Sequence, residues 1–561
     1  MTPLLLLLQA RSVGLASLLT AGALACASPP PPATVVTFGR VWTGNPDQPW
    51  AGGVAMRGDT IVGVGDSADV AKFVGEQTVV TGAPGGMVVP GFMDGHTHFL
   101  DGGIQLVSVD LRTADSPEEF TARIAAFAAE RKPGEWIIGG DWDHERWPGT
   151  PLPTREWIDS VTPNNPVFVN RLDGHMGVAN SAALRAAGIT RATKDIPGGV
   201  IVRDPRTGEP TGILKDNAMG PVYRVMPPPS EAQLDAALAR ALSFAASKGV
   251  TATNYMSAPP AWLGAFQRAR AAGTLTVRTK MFFPIQAWRW VADTVARIGP
   301  GDDWLRIDGV KGYMDGSLGS TTALLFRPYR DAPNTRGLET TPLDSIRRWV
   351  QSADSVHLQV AVHAIGDRAN ALLLDTFDSV MVANGPRDRR FRIEHAQHLR
   401  PEDIVRIAKM NVIPSMQPYH IIDDGRWAAK RIDTLLLQTT YAFRTLIDDG
   451  AHLEFGSDWT VAPLDPLLGV YAAVTRRTLD DKNPGGWFPA QKITVEEALR
   501  AYTAENAYGV FAEGRRGVLK PGARADLVLL DRDITAIDPV DIPKTQVLVT
   551  VAGGRVVYRA P

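Results

Sequence analysis

The sequence predicts an α/β protein: a TIM-type (β/α)8 barrel that carries a small β-sandwich domain built from both chain ends and a large insertion after the first barrel strand. Three observations predict it. Eight short, apolar, β-rich runs alternate with helical patterns through the middle of the chain, and eight parallel strands close such a barrel. Strand-and-turn texture recurs at the two ends, in pieces too short to enclose a core separately. About 150 residues separate the first two barrel runs, far more than an ordinary βα connection.

The ends come first. Val35–Trp42 and Gly53–Gly65 read as strands, with Gly58-Asp59 as a hairpin turn, and Ala525–Leu530 and Val547–Tyr558 repeat the texture around Gly553-Gly554. The economical arrangement packs 34–86 and 515–561 together as one β-domain, leaving 87–514 as the barrel. The barrel strands are expected at Met87–His98, Gly249–Met256, Leu275–Phe283, Leu305–Asp315, Leu358–Gly366, Phe391–Gln397, Asn411–Gln417 and His452–Asp458. Helices fill the gaps, among them Glu231–Ser247 with apolar residues at helical spacing and one opened by the capping-box signature Thr494-Val-Glu-Glu497. The stretch 99–248 reads as an insertion over the barrel mouth, with a helix beginning at Ser116-Pro-Glu-Glu119.

Composition fits a large, loop-rich globular enzyme. The chain has 561 residues, 44% apolar and 21% charged, with 53 glycines and 42 prolines spread along it. Lys and Arg number 58 against 60 Asp and Glu, so no net field attracts nucleic acid or an anionic membrane. The expected partner is a small-molecule substrate.

The single cysteine, Cys26, excludes an intrachain disulfide and any multi-cysteine metal site. It follows an apolar stretch after Arg11 that is too short to span a bilayer and reads as an export signal over 1–25. A cysteine directly after Ala23-Leu24-Ala25 resembles the lipobox of bacterial lipoproteins, in which that residue carries the lipid. Ordinary cleavage to a soluble periplasmic or secreted protein is the alternative. The proline-rich segment 26–33 reads as an extended tether.

Chemistry gathers at the strand ends. The first strand closes in Asp94-Gly-His96-Thr-His98, and residues i and i+2 of a strand share a face. His363, His395 and Asp458 each end a later strand. All lie at the carboxyl ends of barrel strands, where barrel enzymes place their sites, and four imidazoles with a carboxylate suit Zn²⁺ or a similar divalent ion. Lys311, on the fourth strand, is a costly charge to bury unpaired. Either it pairs with Asp308 or Asp315, or its amine takes up CO₂ as a carbamate, an anion with two oxygens able to bridge two metals.

This set, with Pro90-Gly-Phe-Met-Asp-Gly-His-Thr-His98, Lys311-Gly-Tyr-Met-Asp-Gly-Ser-Leu-Gly319, His363-Ala-Ile-Gly-Asp367, Arg392-Ile-Glu-His395 and Gly456-Ser-Asp-Trp459, resembles the binuclear amidohydrolase superfamily, in its family 3 branch that includes N-substituted formamide deformylases. The resemblance implies two divalent ions, His96, His98 and Asp458 holding one, His363 and His395 the other, and carbamylated Lys311 between them. Related deaminases carry a glutamate three residues after the fifth-strand histidine. Gly366 stands there.

The expected reaction is hydrolysis of a C–N amide bond in a small N-acyl or N-formyl amine by water activated between the metals, with Asp458 shuttling the proton. An esterase, lactonase or phosphoesterase using the same centre is one alternative, a non-catalytic periplasmic binding lipoprotein another. His175 either polarises the substrate carbonyl or merely bonds Asp173. Trp142 either walls the pocket or packs in a core. Arg171 is the available counter-ion for a substrate carboxylate, and Gln417 and His420 fall within reach of the mouth. The resemblance also suggests a homodimer.

Overall fold

The computed structural model describes residues 30–561. Cys26 and the segment 1–25 lie outside the described residues. Eight parallel strands form one sheet in chain order: Phe92–Thr97, Val250–Tyr255, Arg278–Pro284, Leu305–Tyr313, Gln359–Ala364, Arg392–His395, Ile413–Met416 and Glu454–Phe455. These strands are buried along nearly their whole length because helices cover their outer faces, which is why they read as continuous apolar runs rather than alternating ones. The last strand returns to the first: Asp458 N–H donates to His96 O at 2.7 Å, and Thr97 bridges Trp459 in parallel. Glycine is required at 456, where a Cβ would lie 2.5 Å from the His96 nitrogen, so the closing approach of the two strands has no room for a side chain.

The first barrel strand is shorter than the sequence suggests. Val79–Pro90 belongs instead to the terminal sheet, and Gly91 separates the two elements, its N–H donating to Asp526 O at 3.0 Å. That terminal sheet has seven strands, running Arg555–Arg559, Val547–Ala552, Leu527–Leu530, Val79–Pro90, Val35–Trp42, Trp50–Arg57, Thr60–Gly65. Its strands are hydrogen-bonded in one continuous mixed sheet. It curls over a core that includes Val54, Met56, Leu527, Leu529 and Val551. Its two hairpin turns meet: a Cβ on Gly554 would lie 1.8 Å from the Gly58 carbonyl oxygen.

After the first barrel strand the chain builds a six-stranded sheet in the order Gly199–Arg203, Pro210–Asp216, Met176–Ala179, Phe168–Arg171, Gly139–Trp142, Val109–Asp110. Its aromatic core joins Phe120 to Trp142, Trp147 and Trp157 edge-to-face. The helix Pro117–Ala129 packs there, its first turn capped by Ser116 Oγ accepting from Glu119 N–H at 3.1 Å. The helix Glu231–Ser247 packs on Phe99–Gln105 and on the second barrel strand, so it belongs to the outer layer of the barrel and the inserted unit ends before it. Both it and Val495–Ala501 begin with complete capping boxes.

Candidate active site

The carboxyl ends of the barrel strands and the loops of the inserted sheet enclose one cleft, lined by His175, His363, His395, His420 and Asp458 together with Arg171, Asp173 and Ser317. At its floor His96 and Asp458 face each other. His96 Nε2 lies 3.3 Å from Asp458 Oδ1, His98 Nε2 lies 3.4 Å from the same oxygen, and His395 Nδ1 is 3.9 Å from Oδ2. The His96 ring is 4.9 Å from that of His395, which is 4.5 Å from His363, which is 4.9 Å from His175. The residues thus form a continuous row of imidazoles above one carboxylate.

Backbone geometry makes this convergence possible and is strained in the process. Asp458 and His395 have φ of 59° and 77°, a region costly for residues other than glycine and most often found where function demands it.

Two of these histidines are oriented from behind. His96 Nδ1 bonds Glu394 Oε2 at 2.7 Å, Glu394 Oε1 accepts from Arg392 Nε at 2.7 Å, and Arg392 Nη1 reaches Glu454 Oε2 at 2.6 Å. All four side chains are fully buried, so each polar group of this hydrogen-bonded chain must keep its partner; burial and the neighbouring Glu394 push the Glu454 carboxyl up to about 8. Burial would raise Glu394, but the Arg392 guanidinium holds it well below the usual carboxylate range. Burial, with the Lys311 charge nearby, pushes His96 down to about 4, so its imidazole is neutral, the form that binds metal. His395 Nδ1 bonds Gln417 Oε1 at 2.7 Å, which leaves its Nε2 for the cleft.

The donors fit a metal ion. Among the buried side-chain atoms without a hydrogen-bond partner are His96 Nε2 and Asp458 Oδ1, the two that face each other. Ligand atoms of His96, His395 and Asp458 lie within 4.8 Å of one another. Two buried orphan atoms of this chemistry side by side are costly unless a cation lies between them.

Lys311 is 1% exposed and forms no ion pair among the described residues. Asp308 is engaged by Lys280 and Arg306, and Asp315 accepts from the N–H groups of Leu324, Ile365 and Gly366, so neither carboxylate pairs with Lys311. Its Nζ stands 4.7 Å from the centre of the Tyr313 ring. Burial pulls its amine down to about 8, against the pull of Glu394 and Asp458. His363 turns Nε2 toward Gly316 O at 3.0 Å, with Asp315 Oδ1 at 3.5 Å.

The remaining expected contacts divide. His175 lines the cleft; its backbone N–H donates to Asp173 Oδ1 at 3.1 Å, and its ring Nδ1 bonds Asp216 Oδ1 at 2.6 Å, a partner the sequence does not suggest. His420 lines the cleft too, stacked 6.4 Å from the His395 ring, with Nε2 buried and unpartnered. Three expectations are corrected. Trp142 is fully buried in the insertion core, its Nε1–H donating to Val169 O, and does not wall the cleft. Gln417 acts through His395. Arg171 reaches the cleft already neutralised by Asp143 at 3.0 Å and Asp173 at 2.7 Å, so it offers no free charge to a substrate carboxylate.

Gly366 is closed to a side chain: a Cβ there would lie 2.0 Å from the Leu324 carbonyl oxygen. The glutamate expected of a deaminase has no room unless that loop moves.

Comparison with known proteins agrees with this geometry. The Amidohydrolase family model matches residues 80–558. Protein LONG AFTER FAR-RED 3 of Arabidopsis thaliana is 38% identical over 93% of this chain and 91% of its own. The N-substituted formamide deformylase of Arthrobacter pascens is 27% identical over 90% of this chain and 94% of its own. The crystal structure of an uncharacterized metal-dependent hydrolase from Pyrococcus horikoshii OT3 superposes with a TM-score of 0.72 at 28% identity, covering 90% of this chain and 99% of that one. The chain belongs to the amidohydrolase family, in its family 3 branch, and is a metal-dependent hydrolase.

Proposed function

We propose that this protein hydrolyses a C–N amide bond of a small N-acyl or N-formyl amine, using two divalent ions. The observation that carries the reading is the pair of buried, unpartnered atoms His96 Nε2 and Asp458 Oδ1, 3.3 Å apart at the floor of the cleft. The residues that would hold the ions are His96, His98, His363, His395 and Asp458, together with Lys311 as a carbamate. When bound, the ions, of which Zn²⁺ suits these donors best, supply an acidified water and a Lewis acid for the substrate carbonyl oxygen.

The chain's own residues do the rest. A lysine without an ion pair, whose amine is drawn down toward neutrality by burial, is suited to take up CO₂. Asp458 accepts a proton from the attacking water at a carboxylate oxygen and returns it to the leaving nitrogen. His175, its Nδ1 fixed by Asp216, donates from Nε2 to the carbonyl oxygen as negative charge develops there. The insertion that supplies His175 also covers the mouth and limits water. The deformylase among the relatives supports an amide rather than an ester as the bond cleaved.

The test is a hydrolysis panel of N-formyl and N-acyl amines, esters, lactones and phosphoesters with the metal-reconstituted enzyme. Turnover of amides above the other classes supports the reading, and turnover confined to esters or phosphoesters overturns it. Export through segment 1–25 and lipidation at Cys26 are part of the proposal, and they are tested by the mass of the mature N-terminus.

A further inference from the structure

Beyond the histidines, the cleft wall carries Asp143, Asp173, Asp423 and Asp424. Three of them are ion-paired. Arg171 pairs with Asp143 and Asp173, while Arg426 reaches Asp143 at 3.1 Å and pairs with Asp423. Asp424 has no cationic partner among the described residues. Its Oδ2 accepts from Gln397 Nε2 at 2.8 Å and from the Tyr441 hydroxyl at 2.7 Å, both neutral donors. Its Oδ1 accepts from no group among the described residues.

A second observation on the same wall points to a missing ligand. Trp427, three residues further on, lines the cleft at 8% exposure, and its indole N–H is buried with no acceptor. An unpaired buried donor carries a desolvation cost that a bound molecule can relieve. A carboxylate facing a cleft without a counter-ion favours a cation in the same way.

We propose that the cleft selects amides whose end remote from the scissile bond carries a protonated amine, with Asp424 as its counter-ion and the Trp427 indole N–H donating to an oxygen of the same molecule. Mono-N-acyl diamines belong to this class, and N-acyl amino acids with a free carboxylate do not. The inference rests on the amide-hydrolase reading of the same cleft.

The experiment measures calorimetric binding and turnover of N-acetylputrescine and of its uncharged counterpart N-acetylpentylamine with the metal-loaded full chain and with Asp424→Asn. That substitution keeps an oxygen for Gln397 and Tyr441 and removes the charge. The expected result is about tenfold tighter binding of the cationic probe by the native protein, a preference that falls to near unity in Asp424→Asn. Equal binding of the two probes, or a preference that survives the substitution, overturns the inference. Should Asp424→Asn fail to fold, salt titration of the native protein decides: raised salt must weaken the cationic probe selectively, and equal salt sensitivity of both probes overturns it. Cationic preference without amide cleavage counts against the amide reading and leaves the Asp424 contact standing, so the two failures are distinguishable.

Discussion

His96 and Glu394 meet at 2.7 Å, Nδ1 to Oε2, across 298 residues of sequence and with no exposure to solvent on either side. The carboxylate fixes which ring nitrogen carries the proton, and so turns the bare Nε2 toward Asp458. Glu394→Gln is therefore expected to lower metal affinity about 10- to 100-fold while the fold persists. Metal titration followed by elemental analysis checks it, and unchanged affinity refutes the orienting role.

Arg392 is the hinge of the same buried chain, holding Glu394 on one side and Glu454 on the other. Arg392→Met leaves the buried Glu394 carboxylate without its counter-charge and Glu454 without its donor, a change worth about 3–5 kcal/mol of stability. Denaturant unfolding of the apo protein reads this directly. A loss within experimental error of zero would show that the chain of charges is dispensable.

Asp458 is assigned a proton to move as well as an ion to hold. Asp458→Asn keeps the shape and one coordinating oxygen but cannot act as a base, so kcat is expected to fall about 10²- to 10⁴-fold, with metal content reduced far less. Near-native kcat in a fully metallated variant contradicts the assignment.

The proposed carbamylation of Lys311 has a spectroscopic signature. Reconstitution with ¹³C-labelled bicarbonate is expected to give one carbamate resonance in the native protein and none in Lys311→Met, which should also retain less metal. A resonance of equal strength in both proteins places the label elsewhere.

At the entrance to the helix Asp367–Asn384, Gly366 donates its N–H to Asp315 Oδ2 at 2.8 Å and has the Leu324 carbonyl where a Cβ would sit. Gly366→Ala is expected to cost about 1–3 kcal/mol through overpacking and to lower the Tm. An unchanged Tm would show that the loop yields freely.

The barrel was legible because its strands are buried on both faces and end in chemically distinctive residues. His363, His395 and Asp458 each close an apolar run, and period-two spacing put His96 and His98 on one face. What orients them was not legible. Glu394 and Arg392 stand beside His395 in the sequence, yet nothing local says that their side chains reach to His96. Asp216, the partner of His175, lies 41 residues away on another strand of the insertion and carries no signal of its own.

Other misreadings share that cause. Met87–His98 reads as one strand because apolar character is continuous across Gly91, and only the folded pairing, Pro90 with Leu527 and Phe92 with Val250, shows that the chain changes sheets there. Trp142 and Arg171 were polar-aromatic candidates whose partners, Phe120 in one case and Asp143 and Asp173 in the other, are set by tertiary packing. The strain at Asp458 and His395 is likewise a property of the folded backbone alone.

The most direct test of the central claim is elemental analysis of the full chain reconstituted with zinc and bicarbonate and freed of loosely bound ions. Two ions per chain, falling sharply when His96 and His98 are both replaced by alanine, is the predicted result. A native protein that retains no divalent metal under those conditions contradicts the account.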